Sequence, residues 1–410
     1  MTTTVPSDDL APSPAFAVPS SYDPLQHLLA SSGVSCEAVL PTGRVLRLGD
    51  GPPRFRLRLH TPDALRGPLT QLGIAKAYID GSMDIELSML DALDLRTLIP
   101  DRPAVALLAK FWLARLFRPM SRENQFAILS HYQLGDDFYL SFIDNRYRFY
   151  SHGLFRHDDE SLEDASEHKL ERMYSSLRLQ PGMRLLDIGA GWGGTEHYCG
   201  ERGVNVTALT IAPDSHAFVS KLVANRKLPV TVCLEDFLNH TPSEPYDAIV
   251  IYGVIEHIPN YRRFARRVWD CLRPGGRLYL DASASREKYS VSAFSRRYIW
   301  PGTHTFLCLQ DLTRELLYHG LDVVEVKNES RDYELTMRHW AERFDQAREQ
   351  IVAQWGEQTY RAFRLYLWGG SSGFKQDLMQ AYSVVAEKRN DPGPRPGWVR
   401  RGFNVVKSAI

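Results

Sequence analysis

The chain has 410 residues, of which 44% are hydrophobic and 24% charged, a composition typical of soluble globular proteins. Its 49 basic and 49 acidic residues balance, so no overall charge favours a nucleic acid as partner. The five cysteines are widely spaced and form no CxxC pair, which predicts reduced thiols in a cytoplasmic protein and no metal site. A chain of this length predicts two domains.

The N-terminal part divides into a tail and a small domain. Residues 1–22 are rich in Ser, Thr and Pro and predict a disordered tail that lacks the pattern of a secretory signal. Residues 23–120 predict a small α+β domain, a cap or lipid-binding unit. Within it, residues 54–60 alternate apolar and basic side chains as a half-exposed strand does, and residues 62–85 predict helices interrupted by glycine and proline.

The segment 103–122 is the most apolar stretch, but it is too often interrupted by charge to span a membrane. We interpret it as a helix packed between the domains. The alternative is a surface helix whose apolar side meets the bilayer while Lys110, Arg115 and Arg118 meet anionic headgroups. That alternative predicts peripheral contact with the inner face of the membrane.

Residues 121–390 alternate strands and helices, which predicts a parallel sheet covered on both faces. Residues 391–410, rich in Pro, Gly and Arg, predict a flexible tail. The fold class is therefore α/β.

The stretch LLDIGAGWGG (185–194) joins a strand that ends at Asp187 to a loop containing Gly189, Gly191 and Gly193. Glycines at this place allow a tight turn and a close approach of the backbone to a ligand at a helix N-terminus. The spacing also satisfies the dinucleotide pattern GxGxxG, so the loop alone does not identify the ligand.

The strands that follow favour S-adenosylmethionine over a dinucleotide. The second strand, which ends near Thr210, is not followed by the acidic residue that a nicotinamide ribose would need. Glu235 and Asp236 instead follow the third strand, where S-adenosylmethionine enzymes place an adenine-facing acid.

Several ordered motifs resemble the cyclopropane-fatty-acyl-phospholipid synthase family, which includes mycolic acid cyclopropane synthases. They are HYQLGDDFYLSFID (131–144), YSHGLF (150–155), GVIEHI (253–258), RRYIWPG (296–302), NESRDYELTMRHWAERF (328–344) and FRLYLWGGSSGF (363–374). The resemblance covers roughly residues 50 to 390. It implies a Rossmann-like class I methyltransferase fold with a mainly parallel seven-stranded sheet, and members that are often homodimers.

The resemblance also implies an activity and its residues. Family members transfer a methylene carbon from S-adenosylmethionine to the alkene of an unsaturated phospholipid acyl chain, with a bound bicarbonate as base. Glu256 and Tyr333 match two holders of that anion. The cofactor-contacting positions match Tyr150, Ser151, Asp187, Gly189, Gly191, Thr210, Glu235 and Asp236, and Gly193 belongs to the same loop.

The sequence departs from the family pattern around Gly370, where some members have a cysteine, and at two positions expected around the bicarbonate. His152 stands where the family has a cysteine, and Asp281 stands where it has a histidine. Asp281 would repel an anion unless it is protonated or paired, for which His152 is the candidate. This puts bicarbonate in doubt and leaves two hypotheses: His152 or a retained anion serves as the base of cyclopropanation, or the altered base gives a methyl or methylene branch on a lipid or a natural product.

A hypothesis of another class is a ligand-binding protein with this fold and no catalysis. Among single residues, we expect His257 to pack against a neighbouring loop, while His304 is a weaker candidate for a functional role. Trp192 is interpreted either as packing over the cofactor or as packing within its own loop.

Overall fold

The computed structural model describes residues 22–31, 33–65, 69–99, 134–300 and 304–390, with three isolated positions after them. The predicted N-terminal tail, the apolar segment 103–122 and the predicted C-terminal tail lie almost entirely outside the described residues. Among the described helices, none is both long and apolar enough to cross a bilayer.

The N-terminal unit is a four-stranded sheet with helices packed on it. Its elements are α1 (Asp23–Ser31), β1 (Cys36–Val39), β2 (Val45–Leu48), β3 (Phe55–Leu59), α2 (Gln71–Ile79), β4 (Met83–Leu87) and α3 (Met89–Leu93), followed by a 3-10 turn (Asp94–Leu98). The strand order is β2-β1-β3-β4. This arrangement agrees with a small α+β unit.

Strand β3 confirms the predicted strand over 54–60, because its apolar side chains are buried and its arginines half-exposed. The expectation of helices throughout 62–85 is wrong at its C-terminal end. Residues from Met83 onward form β4, which pairs antiparallel with β3 through Leu59 and Met83. The reason is tertiary: the open edge of β3 satisfies the backbone groups of this segment better than one more helical turn would.

The larger unit alternates strands and helices around a seven-stranded sheet. Its elements are α4 (Asp136–Leu140), α5 (Leu162–Ser176), β5 (Arg184–Ile188), α6 (Gly194–Gly200), β6 (Asn205–Thr210), α7 (Pro213–Arg226), β7 (Val230–Leu234), β8 (Tyr246–Tyr252), a 3-10 turn (Ile255–His257), α8 (Tyr261–Cys271), β9 (Leu272–Ala284), α9 (Ala293–Tyr298), α10 (Leu309–Tyr318), β10 (Leu321–Asn328), α11 (Ser330–Gln346), α12 (Arg348–Trp355), α13 (Glu357–Lys375) and β11 (Gln380–Lys388).

The sheet order β10-β11-β9-β8-β5-β6-β7 confirms the predicted α/β class and the mainly parallel seven-stranded sheet. Only β11 runs antiparallel to both of its neighbours. The chain order reverses around β5, which lies between β6 and β8. In open α/β sheets a ligand binds beyond the strand ends at such a reversal, so the topology itself places a site after Ile188.

The core of this unit consists of aliphatic side chains on the central strands. Leu185, Leu186, Ile249 and Val250 are fully buried. Each such side chain contributes roughly 1.5–3 kcal/mol relative to exposure. These strands therefore hold the loops at their carboxyl ends on a rigid base.

Helix α13 connects the two units. It packs along α11 and also contacts α2 and α3 of the N-terminal unit. The Arg361 guanidinium donates to the Asp84 carboxylate at 2.6 Å and to the backbone oxygen of Tyr78 at 2.9 Å. The N-terminal unit is thus held directly over the carboxyl edge of the large sheet.

Candidate functional site

The glycine loop after β5 adopts a backbone that side chains would block. Gly189 has φ +98°, and a Cβ atom built on it would lie 2.5 Å from Cγ2 of Val254. Gly191 has φ +51°, and its carbonyl oxygen accepts a hydrogen bond from the Ser215 hydroxyl at 2.7 Å. The loop is therefore shaped as a cradle in which backbone atoms face the space above the strand.

Gly193 lies at the end of the loop, on the side away from the cavity. It has φ +78° where α6 begins, and a Cβ atom there would lie 2.5 Å from Cδ2 of Leu222. It is not among the residues that line the cavity above the loop. A glycine is therefore needed here for the turn into α6, whereas the sequence predicted a contact with the cofactor.

Two carboxyl groups meet below the cradle. Burial raises the pKa of Asp187, at the end of β5, to about 6. Burial and the neighbouring charge of Asp187 raise the pKa of Glu196 well above its ordinary value. Both shifts favour the protonated carboxyl group, more strongly at Glu196, and Asp187 is the member of the pair that lines the cavity.

The ends of β6 and β7 supply the other polar positions expected for a nucleoside. The backbone N–H of Glu235 donates to the carbonyl of Thr210 at 2.9 Å, which ties the two strand ends together. An Asp236 carboxylate oxygen accepts from the N–H of Leu238 at 2.8 Å. The Glu235 carboxylate lies 2.8 Å from Nδ1 of His240.

A single cavity of about 1170 Å³ joins these positions. Every predicted cofactor contact except Gly193 lines it: Tyr150, Ser151, Asp187, Gly189, Gly191, Thr210, Glu235 and Asp236. Trp192 lines it as well, and its indole N–H donates to the Asp136 carboxylate at 2.8 Å. The structure thus brings together residues that are spread over almost 90 positions of the sequence.

The cavity continues from the cradle to the N-terminal unit. Its far end is lined by apolar side chains of α1, β3, α2, β4 and the turn after α3: Leu25, Leu28, Leu57, Ile74, Ala75, Tyr78, Ile85, Leu95 and Ile99. A polar cradle at one end and an apolar extension at the other suit two ligands of different polarity that meet in the middle.

Glu256 lies between the two ends, in the 3-10 turn after β8. One carboxylate oxygen accepts from the backbone N–H of Ser283 at 3.1 Å and from its hydroxyl at 2.9 Å. The other, Oε2, is buried and has no hydrogen-bond partner within the described part of the chain. Burial raises the pKa of Glu256 to about 7, so this oxygen can exchange a proton near neutrality.

Aromatic rings form the wall around Glu256. Tyr333 stacks on Phe374 with ring centroids 4.6 Å apart, and both line the cavity. Burial raises the pKa of Tyr366 to about 12, so its hydroxyl stays protonated. Trp300 and His304 stack with centroids 5.0 Å apart. Such rings tolerate a positive charge next to their faces better than aliphatic side chains do.

His257 packs as expected, with its ring 5.1 Å from that of Trp300. It also lines the cavity. Burial lowers its pKa to about 4, so the imidazole is neutral at physiological pH. His304, the weaker sequence candidate, lines the same stretch of wall.

His152 and Asp281 lie outside the cavity lining, in a buried cluster behind it. The anticipated pair is long, with His152 Nδ1 3.8 Å from an Asp281 oxygen. The nearer partner of Asp281 is the Lys169 ammonium at 2.5 Å, and His152 Nε2 lies 2.6 Å from Glu329. The expectation that His152 compensates the charge of Asp281 is therefore wrong, because Lys169 neutralises Asp281. Neither His152 nor Asp281 reaches the cavity.

Sequence reasoning missed Lys169, Glu329 and Tyr366. Lys169 belongs to an amphipathic helix, where a lysine normally predicts a solvated position. Its sequence signal is weak because the carboxylates that pair with it, Asp281 and Glu329, lie more than 100 residues later in the chain. Tyr366 lies inside a motif used for the family resemblance, where we assigned it no role.

Comparisons with known proteins agree with this geometry. The family described as "Mycolic acid cyclopropane synthetase" matches residues 120–384. The cyclopropane-fatty-acyl-phospholipid synthase of Escherichia coli (strain K12) is 28% identical over 354 residues, which cover 83% of this chain and 89% of that protein. A probable fatty acid methyltransferase of Mycobacterium tuberculosis is 29% identical over 284 residues and 66% of each chain. The crystal structure of mycolic acid cyclopropane synthase CmaA1 complexed with SAH and CTAB superposes with a TM-score of 0.60 at 27% identity, covering 64% of this chain and 98% of that one.

Proposed function

Since the chain belongs to the mycolic acid cyclopropane synthetase family, we propose that it uses S-adenosylmethionine to convert the alkene of an unsaturated phospholipid acyl chain into a cyclopropane. The observation that carries this proposal is the continuous cavity. It joins the glycine cradle, the buried Glu256 carboxyl group and an apolar extension lined by side chains of the N-terminal unit.

The cradle fits the donor. Gly189 and Gly191 leave room for backbone contact, and Asp187 and Asp236 place negative charge at the strand ends where an amino group and hydroxyl groups would bind. When bound, S-adenosylmethionine supplies an electrophilic methyl carbon on a sulfonium. The residues of this chain then have to orient the acceptor, exclude water and remove one proton.

Glu256 is the group best placed to remove that proton. Cyclopropanation adds one carbon to the two alkene carbons and releases one proton as the ring closes. Oε2 of Glu256 is buried and unpaired among the described residues, and the pKa of this carboxyl group is about 7. It can therefore hold the released proton and pass it on near neutral pH.

The surrounding rings stabilise the electron-deficient carbon that precedes ring closure. Tyr333 and Tyr366 line the same cavity as Glu256, and aromatic rings tolerate a nearby positive charge better than aliphatic side chains do. Tyr366 also keeps its proton, so it adds no negative charge that would trap the cation.

Bicarbonate fits this site poorly. Of the four side chains considered for it, only Glu256 and Tyr333 line the cavity. His152 is bound to Glu329, and Asp281 is paired with Lys169 behind the wall, so neither offers a group to an anion in the cavity. We therefore assign no step to bicarbonate and keep Glu256 as the base.

The product can be tested directly. Purified protein is incubated with vesicles of a monounsaturated phospholipid and S-adenosylmethionine labelled with ¹³C in the methyl group, and the lipids are analysed by NMR and mass spectrometry. We expect the label in a ring methylene with loss of the alkene signals. Label in a methyl or methylene branch would support the alternative product, and donor binding without transfer would support a ligand-binding protein.

Glu256→Gln tests the base. It should lower kcat about 10²- to 10⁴-fold, the usual share of a general base, while binding of S-adenosylhomocysteine stays within threefold. The matched control is Glu244→Gln, which changes an exposed glutamate on the same unit. Equal activity of the two variants would remove Glu256 from the mechanism. Contact with the membrane surface and a homodimer remain predictions alongside this proposal.

A further inference from the structure

We propose that Lys169 is a positioning residue, whose buried ammonium joins His152, Asp281 and Glu329 into one charged quartet that fixes the cavity wall at Tyr333 and Ser151. The expected effect on kcat rests on the proposed function. The structural role of Lys169 rests on the geometry of the four side chains alone.

The quartet is completely shielded from solvent. The side chains of Lys169, His152 and Asp281 are 0% exposed, and that of Glu329 is 2% exposed. The Lys169 Nζ atom lies 2.5 Å from an Asp281 oxygen, 2.7 Å from His152 Nε2 and 3.2 Å from a Glu329 oxygen. Charges are buried in this way only when they are closely paired, so each of the four positions depends on the others.

The place at the centre of the quartet is one that a metal ion could occupy. His152, Asp281 and Glu329 offer ligand atoms that lie within 4.8 Å of one another. The ammonium of Lys169 is in contact with all three residues and supplies the positive charge that these carboxylates require. We therefore assign the place of the cation to Lys169.

Among the described residues, the cationic and anionic side chains around Glu329 are equal in number. Arg172 lies 3.5 Å from the second oxygen of Glu329, so two cations face two carboxylates. Burial by itself would raise the pKa of Glu329, but the charge of Lys169 and the hydrogen bond from His152 hold that pKa well below its usual range. The Nε2 atom of His152 lies 2.6 Å from a Glu329 oxygen and 2.7 Å from the Lys169 ammonium, so the imidazole is held between the two charged groups.

Each of three quartet members is connected to the cavity wall. The His152 ring stacks on that of Tyr333, with centroids 4.8 Å apart. The Asp281 carboxylate accepts from the Ser151 hydroxyl at 3.1 Å and from the backbone N–H of Gly253 at 3.2 Å. Tyr333, Ser151 and Gly253 all line the cavity.

Glu329 is linked to Tyr333 through the backbone of α11, in addition to pairing with Lys169 through its charge. Glu329 immediately precedes α11, and its carbonyl accepts from the N–H of Tyr333 at 3.0 Å, one helical turn later. Its carboxylate also accepts from the Ser383 hydroxyl on β11 at 2.5 Å. The start of α11, and with it Tyr333, is therefore fixed relative to the sheet by the residue that pairs with Lys169.

Three variants separate positioning from simple stability. Lys169→Met removes the charge and keeps the length, and Lys169→Met combined with Glu329→Gln removes one charge of each sign. Lys388→Met is the control, since Lys388 bonds two backbone carbonyls at the other end of β11. All are measured well below their own unfolding temperatures, by kcat, the Kd of S-adenosylhomocysteine and the ¹⁹F NMR signal of fluorotyrosine at position 333.

We expect Lys169→Met to lower kcat about 100-fold, the effect of a misplacement of roughly 1 Å, with the Kd changed less than threefold. The ¹⁹F signal should shift in this variant and stay unchanged in the Lys388 control. The double variant should regain thermal stability but remain at least tenfold slower than wild type.

Recovery of both stability and kcat in the double variant would overturn the proposal, and so would an unmoved ¹⁹F signal in Lys169→Met. One equivalent of a tightly held divalent metal in the purified protein would also overturn it. If the wild-type protein transfers no carbon to lipid, the proposed function fails, while the ¹⁹F signal still decides the role of Lys169.

Discussion

Among the single residues of the site, Glu256 has a carboxyl group whose pKa lies near neutrality. One of its oxygens is occupied by Ser283, the other is buried without a partner in the described part of the chain, and the Asp281 charge lies behind it. Burial, together with the Asp281 charge, outweighs the opposing hydrogen bonds from Ser283 and raises the pKa of Glu256 from 4.5 to about 7.

The activity should follow the ionisation of this group. A general base must be ionised, so kcat should rise with pH up to about 7 and level off above it. The profile is measured with vesicles of constant composition. A rate that is already constant between pH 5 and pH 7 would contradict the assignment.

Stability should depend on pH in the opposite sense. A carboxyl group with a raised pKa in the folded state stabilises it fully below pH 4.5, and this contribution is lost as pH rises to about 7. The loss amounts to at most about 3 kcal/mol. Glu256→Gln lacks it, so urea unfolding should show the variant gaining on wild type between pH 5 and pH 8. Parallel curves would mean that the carboxylate is better solvated than its burial indicates.

At the level of single elements, the shape of the glycine loop predicts how a substitution at Gly189 changes cofactor binding. Gly189→Ala places a methyl group against Val254 and forces an unfavourable φ of +98°. Binding of S-adenosylhomocysteine should weaken at least tenfold by calorimetry. Gly203→Ala is the control, because Gly203 also has a positive φ but lies outside the cavity lining. It should lose about 1 kcal/mol of stability and no affinity.

Helix α2 tests the apolar end of the cavity. Ala75 lines the cavity, whereas Ala77 on the same helix does not. Ala75→Trp should raise the KM for a long-chain phospholipid several-fold, because the indole occupies space that the acyl chain needs, with donor affinity unchanged. Ala77→Trp should leave both constants near the wild-type values. Equal effects of the two substitutions would place the acyl chain elsewhere.

Features formed by residues close together in the sequence could be predicted, and features formed by distant residues could not. The cradle was predictable because its signals are local: a strand, glycines and an acidic residue lie within ten positions of one another. Glu256 was predictable because it directly follows an apolar strand. The quartet was not, because Lys169 and Glu329 are 160 positions apart and meet only through the packing of α5 against the sheet. The strand β4 was missed for a similar reason, since its partner β3 decides its conformation.

For the whole molecule, the contact between the two units determines the shape of the apolar end of the cavity. Arg361 of α13 bonds Asp84 and the backbone of the N-terminal unit from a half-buried position. Arg361→Met should raise the KM for phospholipid more than it changes the Kd of the donor, because only the apolar end of the cavity depends on this contact. Arg348→Met, which changes an exposed arginine paired with Glu357, is the control. A larger effect on the donor would indicate that the N-terminal unit also shapes the cradle.

The antiparallel strand β11 also determines when the molecule can assemble. Among the strands in the described residues it is the last in chain order, yet it lies inside the sheet between β10 and β9. During synthesis, β9 and β10 leave the ribosome while the place between them is still vacant, and the Ser383 bond to Glu329 cannot form until β11 follows. The wall that carries Tyr333 is therefore completed only after β11 has left the ribosome, so a released chain that ends before Gln380 should remain sensitive to protease throughout α11 and α13.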